Sequence, residues 1–343
     1  MFKKRTLLTL LLLLVVLVLS IGCSTNTNSN TSSDSTEETY KILFASSGQT
    51  GTAMHESALE FKEAVETRTN GQVEVELAWG GVLGGDREMV DSQIRGDIDM
   101  VLTSDIGYAT NIPEVGFANL PYLFPDFEAV DEYYFNGFIG ERLDEVYLEN
   151  GLRRLGWSEN EFRALTANKP IETLDDLKGL KIRVPEFPSL LAFFKELGAN
   201  PSPMAFTEVL TALQQGTMDA QDNGPTLTVS QKFYEVQDYF IFTNHVYSGA
   251  AITINEEFYS TLPEDIQQIL IEEGERCGEL SISLGRERIG EYVKTMEDFG
   301  VDVSELSDEL QTEFKKAAMK IWDEFRGDFD PATMDKVFEV LGN

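Results

Sequence analysis

Lys178-Gly179-Leu180-Lys181-Ile182-Arg183-Val184-Pro185 reads as one short strand with an arginine in its middle. Side chains alternate between the two faces of a strand, so Lys181 and Arg183 share one face while Leu180, Ile182 and Val184 share the other. Pro185 ends the strand because it has no N–H to give to a ladder. On the strand alone two readings of Arg183 stand: a solvated arginine on the polar face of an edge strand, or an anchor for a carboxylate inside a cleft. The rest of the chain decides between them.

Working outward, strands and helices alternate from residue 40 on. Residues 40–45 read as a strand, followed by the polar loop Ser46-Ser47-Gly48-Gln49-Thr50-Gly51-Thr52. A helix over 53–69 carries apolar Ala58, Phe61, Ala64 and Val65 and stops at Asn70-Gly71. Val73-Glu74-Val75-Glu76-Leu77 alternates as a second strand. The loop Gly80-Gly81-Val82-Leu83-Gly84-Gly85-Asp86 then has glycines that let backbone approach a ligand, but not the Lys-Ser/Thr ending of a phosphate-binding loop. A helix over 87–95 and a strand over 98–103 complete the unit. Ligands of open α/β sheets gather at the carboxyl ends of strands, where these loops lie. The aromatic run 117–127 reads as core and is followed by a helix over 128–150. Extended segments over 152–157 and 161–167 mark a crossing between domains. Beyond them the pattern predicts helices over 187–197, 205–215, 263–297, 307–326 and 335–341, with one long strand over 240–253 running between domains.

The 343 residues suit one large or two medium domains, and 42% hydrophobic with 25% charged residues is ordinary for a folded soluble protein. Residues 1–22 differ: a basic start (Lys3, Lys4, Arg5), an apolar run over 7–19 and small residues before Cys23 form a signal-peptide pattern. Cys23 resembles the lipid acceptor of a bacterial lipobox, although Ser20 stands where an aliphatic residue is usual. Plain signal-peptidase cleavage and an uncleaved membrane anchor are the alternatives. Residues 24–39 are almost purely Ser, Thr, Asn, Asp and Glu, too polar to bury a core, so 23–39 is expected to be a flexible tether. The one remaining cysteine, Cys277, lies in a helical stretch and reads as a buried, inert thiol. Without Lys3, Lys4 and Arg5 the chain has 24 basic against 59 acidic residues, a net −35. Such a surface argues against a nucleic-acid partner. It also opposes the approach of an anion, although salt screens that distant field within about 10 Å at 0.1 M.

Several segments recur in one order: Gly151-Leu152-Arg153-Arg154-Leu155-Gly156-Trp157, Phe162-Arg163-Ala164-Leu165-Thr166, and Asp176-Leu177 leading into the opening strand. Pro203-Met204-Ala205-Phe206-Thr207-Glu208-Val209, Ala212-Leu213-Gln214-Gln215-Gly216-Thr217-Met218-Asp219 with Gln221-Asp222-Asn223, and Lys232-Phe233-Tyr234-Glu235-Val236 follow. Over roughly residues 40–275 this resembles the DctP-type solute-binding proteins of TRAP (tripartite ATP-independent periplasmic) transporters. The resemblance implies an α/β, two-domain periplasmic-binding-protein-like fold with an interdomain ligand cleft, hinge strands and a long connecting helix. One domain is expected over 40–160 plus 250–285, the other over 161–249 plus 286–343.

The same resemblance implies that Arg183 pairs with a ligand carboxylate, a task suited to guanidinium because its rigid fork meets two oxygens at once. Arg163 matches the family's second arginine, and Asn223 its ligand-bonding asparagine. Asp86 aligns with a polar contact of sialic-acid-binding members, with a helix N-cap as the competing reading. Ser47 and Ser104 stand where those members carry asparagine and glutamate, which argues against sialic acid. Gln49, Trp79 and Asp105 line the cleft by position. Gly224 stands directly after Asn223, where the family usually has proline.

The implied function is extracytoplasmic capture of an organic acid and its delivery to the small and large membrane subunits of a TRAP transporter. The small polar groups Ser47, Gln49, Asp86 and Ser104 suit a hydroxylated ligand, favouring a uronate or aldonate over a C4-dicarboxylate. A monomer is expected, lipid-anchored on the outer face of the cell membrane or periplasmic, with no cofactor, metal or catalytic residue. A binding protein feeding a sensory receptor kinase is the alternative. An enzyme is disfavoured, because only His55 and His245 exist and neither lies in a catalytic motif.

Overall fold

Strand β1 (Tyr40–Ala45) buries Ile42, Phe44 and Ala45, while β2 (Val73–Ala78) turns Val73 and Val75 inward and Glu74 and Glu76 to water. The two pair in parallel, Tyr40 beside Val73, and so need a crossover helix. Helix α1 (Ala53–Arg68) supplies it, capped by the Thr52 side chain, which accepts the His55 N–H, and burying Ala58, Phe61 and Val65. Helix α2 (Asp86–Ile94) leads to β3 (Met100–Ser104), parallel to β1 on its other side, and Ser104 caps the short helix α3 (Asp105–Ala109). The computed structural model describes residues 39–342, so the leader, Cys23 and nearly all of the tether lie outside the described residues.

The remaining strands are β4 (Leu152–Phe162), β5 (Leu165–Ala167), β6 (Lys181–Val184), β7 (Asn200–Pro203), β8 (Ala220–Asp222), β9 (Tyr239–Phe242), β10 (Tyr247–Asn255) and β11 (Asp302–Glu305). They form two sheets, ordered β2-β1-β3-β10-β4 and β11-β9-β5-β8-β6-β7. The chain passes from one to the other between Phe162 and Leu165, and back between Phe242 and Tyr247. These crossings lie side by side, with the Arg163 N–H donating to the Val246 carbonyl at 2.8 Å. The strand expected over 240–253 is therefore two strands. Asn244, at φ 46°, breaks it, and the His245 carbonyl accepts the Tyr122 N–H instead of a ladder partner.

The helix expected over 128–150 is also broken. A wide turn over Val130–Phe135 ends where Asn136 Nδ2 donates to the Asp131 carbonyl, and helix α4 (Phe138–Glu149) starts afresh after Gly137. A Cβ on Gly137 would stand 2.5 Å from the Glu132 carbonyl, so only glycine fits the corner. The expected helix over 205–215 starts as a 3₁₀ turn, Phe206–Glu208, and is α-helical only over Val209–Gln214. The aromatic run packs as expected, with Phe117, Leu120, Leu123 and Phe124 buried.

Helix α5 (Pro225–Ser230) follows β8, and helix α6 (Glu264–Phe299) is 36 residues long, about 54 Å at 1.5 Å per residue. Its amino-terminal half lies directly on β4: a Cβ on Gly156 would stand 2.0 Å from the Gly274 carbonyl, and one on Gly278 1.9 Å from the Trp157 carbonyl. Backbone thus meets backbone at these glycines, with the Leu155 Cβ against Gly274 and the Ser158 and Ser281 hydroxyls 2.8 Å apart beside them. Further along, Arg286 holds both Asp131 and Glu159 and lies over the Phe127 ring at 4.4 Å. Cys277 is buried on the same helix, and burial pushes its thiol up to about 12, so the expected inert thiol is what the fold contains.

Candidate functional site

Between the sheets opens a cleft whose empty space, about 1100 Å³, includes open solvent, with polar side chains converging on it from both walls. The loop after β1, the end of β3 and the start of α2 contribute Ser47, Ser104 and Asp86; β6 contributes Arg183, the end of β8 leads to Asn223, and the crossing between the sheets contributes Arg163. Six of the residues that the sequence nominates therefore converge on one space. Gln49 is not among its lining residues, because its side-chain amide donates to Gln231 at 3.3 Å. Trp79 packs against Phe44 and His55, and Asp105 is buried in the core, accepting from Tyr134 at 2.5 Å and Tyr147 at 2.8 Å.

Arg183 is only 3% exposed, which removes the solvated reading of its strand. Two of its nitrogens, Nε and Nη2, donate to the Met204 carbonyl at 3.1 and 2.7 Å. That carbonyl holds the fork in place without neutralising it, and among the described residues no carboxylate stands at ion-pair distance. Burial brings its pKa down to about 10, opposed by the charge of Asp222, so it remains a cation at neutral pH. A buried guanidinium with no carboxylate at ion-pair distance, facing a cleft, has the chemistry to pair with an anion.

Arg163 is different, because its charge is already answered. Its Nε donates to Asp222 Oδ2 at 2.8 Å and its Nη2 to the Asp222 carbonyl. Burial pushes the Asp222 carboxyl up, but the Arg163 charge and the hydrogen bonds from His245 and Arg163 outweigh it and hold the pKa below the usual carboxylate value. Burial also lowers His245, leaving it neutral at pH 7. The neutral ring is then satisfied if Nε2–H donates to Asp222 and Nδ1 accepts the Thr243 hydroxyl at 2.6 Å. Asn223 Nδ2 donates to Gln221 Oε1 at 2.6 Å, and Gln221 donates on to Thr166, so the amide is oriented before any ligand arrives.

On the facing wall the Ser47 hydroxyl donates to Asp86 Oδ1 at 2.5 Å, and Ser104 Oγ accepts the Gly107 N–H at 3.2 Å. Asp86 is the first residue of α2, with Gly85 in the cap position, so the N-cap reading of Asp86 gives way. Glu161 also lines the cleft and carries no sequence signal of its own. It is 4% exposed, sits at φ 55° where a β-carbon is strained, and accepts the Thr226 N–H at 2.6 Å. Burial pushes its carboxyl up to about 8, with the hydrogen bonds from Thr226 opposing. Gly224 makes room for it: a Cβ there would stand 2.6 Å from Glu161 Cγ. The departure from proline at that turn thus has a local physical reason.

The family model for bacterial extracellular solute-binding proteins, family 7 (DctP), matches residues 44–328. The 2,3-diketo-L-gulonate-binding periplasmic protein YiaO of Escherichia coli is 33% identical over 252 residues, 73% of this chain and 76% of that protein. Among solved structures, the sugar acid binding protein DctPAm of Advenella mimigardefordensis, in complex with galactonate, superposes with a TM-score of 0.84. It is 28% identical and covers 88% of this chain and 97% of its own. A TRAP periplasmic solute-binding protein of Shewanella oneidensis with bound succinate reaches 0.83 at 28% identity, over 87% of this chain and 98% of its own. A cleft between two sheets, an unneutralised arginine in its wall and a family match over most of the chain converge: this protein belongs to the DctP family of TRAP-transporter solute-binding proteins.

Proposed function

We propose that this chain is the extracytoplasmic receptor of a TRAP transporter, capturing an organic acid through its carboxylate and handing it to the membrane subunits. A uronate or aldonate is favoured, with a C4-dicarboxylate next. The observation that carries the reading is Arg183, a buried cation whose fork is fixed by the Met204 carbonyl yet left without a carboxylate partner. Its pairing with a ligand carboxylate would be charge-assisted and two-pronged. Asn223 and Arg163 stand beside it, and Ser47, Asp86 and Ser104 offer hydroxyl partners from the facing wall. A ligand that touches both walls binds the closed arrangement better than the open one and so selects it.

The relatives support this chemistry, since galactonate and succinate are both acids. On the same reading, 40–160 plus 250–285 form one lobe and 161–249 plus 286–343 the other, a division that strand membership supports apart from its edges, since β4 runs on to Phe162 and β10 starts at Tyr247 within the first sheet. Cys23 would carry the lipid that tethers the receptor outside the cell, tested by radiolabelled palmitate incorporation that Cys23→Ala abolishes. The main test is a thermal-shift screen of organic acids followed by calorimetry. A ligand of the folded form raises Tm; a complete panel of sugar acids and dicarboxylates that leaves Tm unchanged would overturn the reading.

A further inference from the structure

The cleft contains three arginines and five acidic residues, and their partners reveal how much positive charge is left for a ligand. Arg163 is held by Asp222. Arg87, 57% exposed on its side chain, stands 3.7 Å from Glu186. Only Arg183 remains unanswered among these cations. Of the acids, Glu159 is taken by Arg286 at 2.8 Å and Glu88 Oε2 accepts the Gly85 N–H at 3.0 Å. Asp86 has the Ser47 hydroxyl but no cation at ion-pair distance, and its charge is felt at Arg183. Glu161 has Thr226 and, among the described residues, no cation either.

We propose that the cleft selects an acid with a single carboxylate, seated on Arg183, and that Asp86 and Glu161 receive ligand hydroxyls where a dicarboxylate would bring a second charge. The proposal rests on the organic-acid reading above and sharpens its substrate class. One carboxylate on Arg183 closes the charge balance of the site. A second would enter a buried space with no free cation and with the Asp86 carboxylate in its wall, which is costly for an unpaired ion. A hydroxyl meets no such penalty, because it donates to Asp86 and can exchange hydrogen bonds with the Glu161 carboxyl. Glu161 is a built feature of the cleft: a strained backbone at φ 55° and the empty space over Gly224 both serve to seat its side chain.

The test is calorimetry at pH 7 with four- to six-carbon aldonates, each paired with the aldarate of the same stereochemistry, plus succinate. Wild type, Asp86→Asn, Glu161→Ala and Arg183→Ala are compared, each first shown to be folded by its melting curve. The tightest aldonate is expected to bind wild type at least ~10-fold more tightly than its aldarate and than succinate, about the factor that 1.4 kcal/mol represents. Asp86→Asn should narrow that ratio at least ~3-fold, and Glu161→Ala, which removes a hydroxyl partner, should weaken the aldonate at least ~3-fold. An aldarate or succinate that matches the aldonate on wild type overturns the inference while leaving the organic-acid reading intact, provided Arg183→Ala abolishes binding. A ratio unmoved by Asp86→Asn overturns it too, and an aldonate affinity unmoved by Glu161→Ala overturns the role given to that residue. No binding by any acid would overturn both.

Discussion

The carboxyl group of Glu161 occupies the space above Gly224, where a β-carbon would stand 2.6 Å from both its Cγ and its Oε1. Gly224→Ala is accordingly expected to destabilise the protein by about 1–3 kcal/mol through overpacking. Since the Phe162 carbonyl also lies 2.8 Å from the built Cβ, Glu161→Ala should recover part of that loss and not all of it. Urea denaturation of the two single variants and the double variant measures the coupling; strictly additive effects would contradict the contact.

Arg183 is a buried cation with no carboxylate at ion-pair distance among the described residues, which is costly for the folded state. Arg183→Met is expected to raise Tm in the absence of ligand and to remove the ligand-induced rise. Arg183→Lys, which keeps the charge but loses the fork, should weaken binding by about 2 kcal/mol or more, roughly 30-fold. Near-native affinity in the lysine variant, measured by calorimetry, would remove the anchor role.

Asp222 answers Arg163 and accepts from His245 in a fully buried cluster. Asp222→Ala strands the Arg163 charge and should cost about 3–5 kcal/mol of stability. The measurement is the denaturation midpoint with an unchanged slope. A loss below 1 kcal/mol, roughly the worth of an exposed pair, would mean that solvent reaches this cluster.

Burial pushes the Asp105 carboxyl up to about 6, opposed by hydrogen bonds from Tyr134 and Tyr147. The folded state therefore holds this proton more tightly than the unfolded chain, where an aspartate titrates near ~3.9. The resulting stability is fully present below the unfolded pKa and is lost as pH rises through the folded one. Asp105→Asn stays neutral throughout, so its stability relative to wild type should climb between pH ~4 and ~6 and then level, by about 3 kcal/mol at ~1.4 kcal/mol per unit. Scanning calorimetry of both proteins across this range checks it; a constant offset would show that Asp105 does not titrate there.

The strands and the long helix are legible in the sequence because one-sided burial leaves a periodic trace, as in Val73-Glu74-Val75 and along α6. The breaks at Asn136-Gly137 and Asn244 are not, because each is decided by tertiary partners: the Asp131 carbonyl in one case and the Tyr122 N–H in the other. Arg183, Arg163 and Asn223 are legible through a family pattern, whereas their different electrostatic states are not. Only the structure places Asp222 on one arginine and a neutral carbonyl on the other. Glu161 left no trace because a lone glutamate at the end of a strand reads as a solvated residue. The one hint was the missing proline at residue 224, which has meaning only once the side chain above it is seen.

The seam between α6 and β4 has a mechanical meaning. Where the Gly274 carbonyl meets Gly156 and Gly278 meets the Trp157 carbonyl, backbone contacts leave little room for sliding, and the Ser158–Ser281 hydrogen bond fastens the next turn. Strand and helix must therefore travel as one body, like a blade fixed to its tang. Any bending that opens the cleft is left to the crossings at Arg163-Ala164 and Thr243–Val246 and to the part of α6 beyond this seam, which leads on to β11 in the second sheet. The glycines that look like the weakest points of a long helix are what let it rest this closely on its strand.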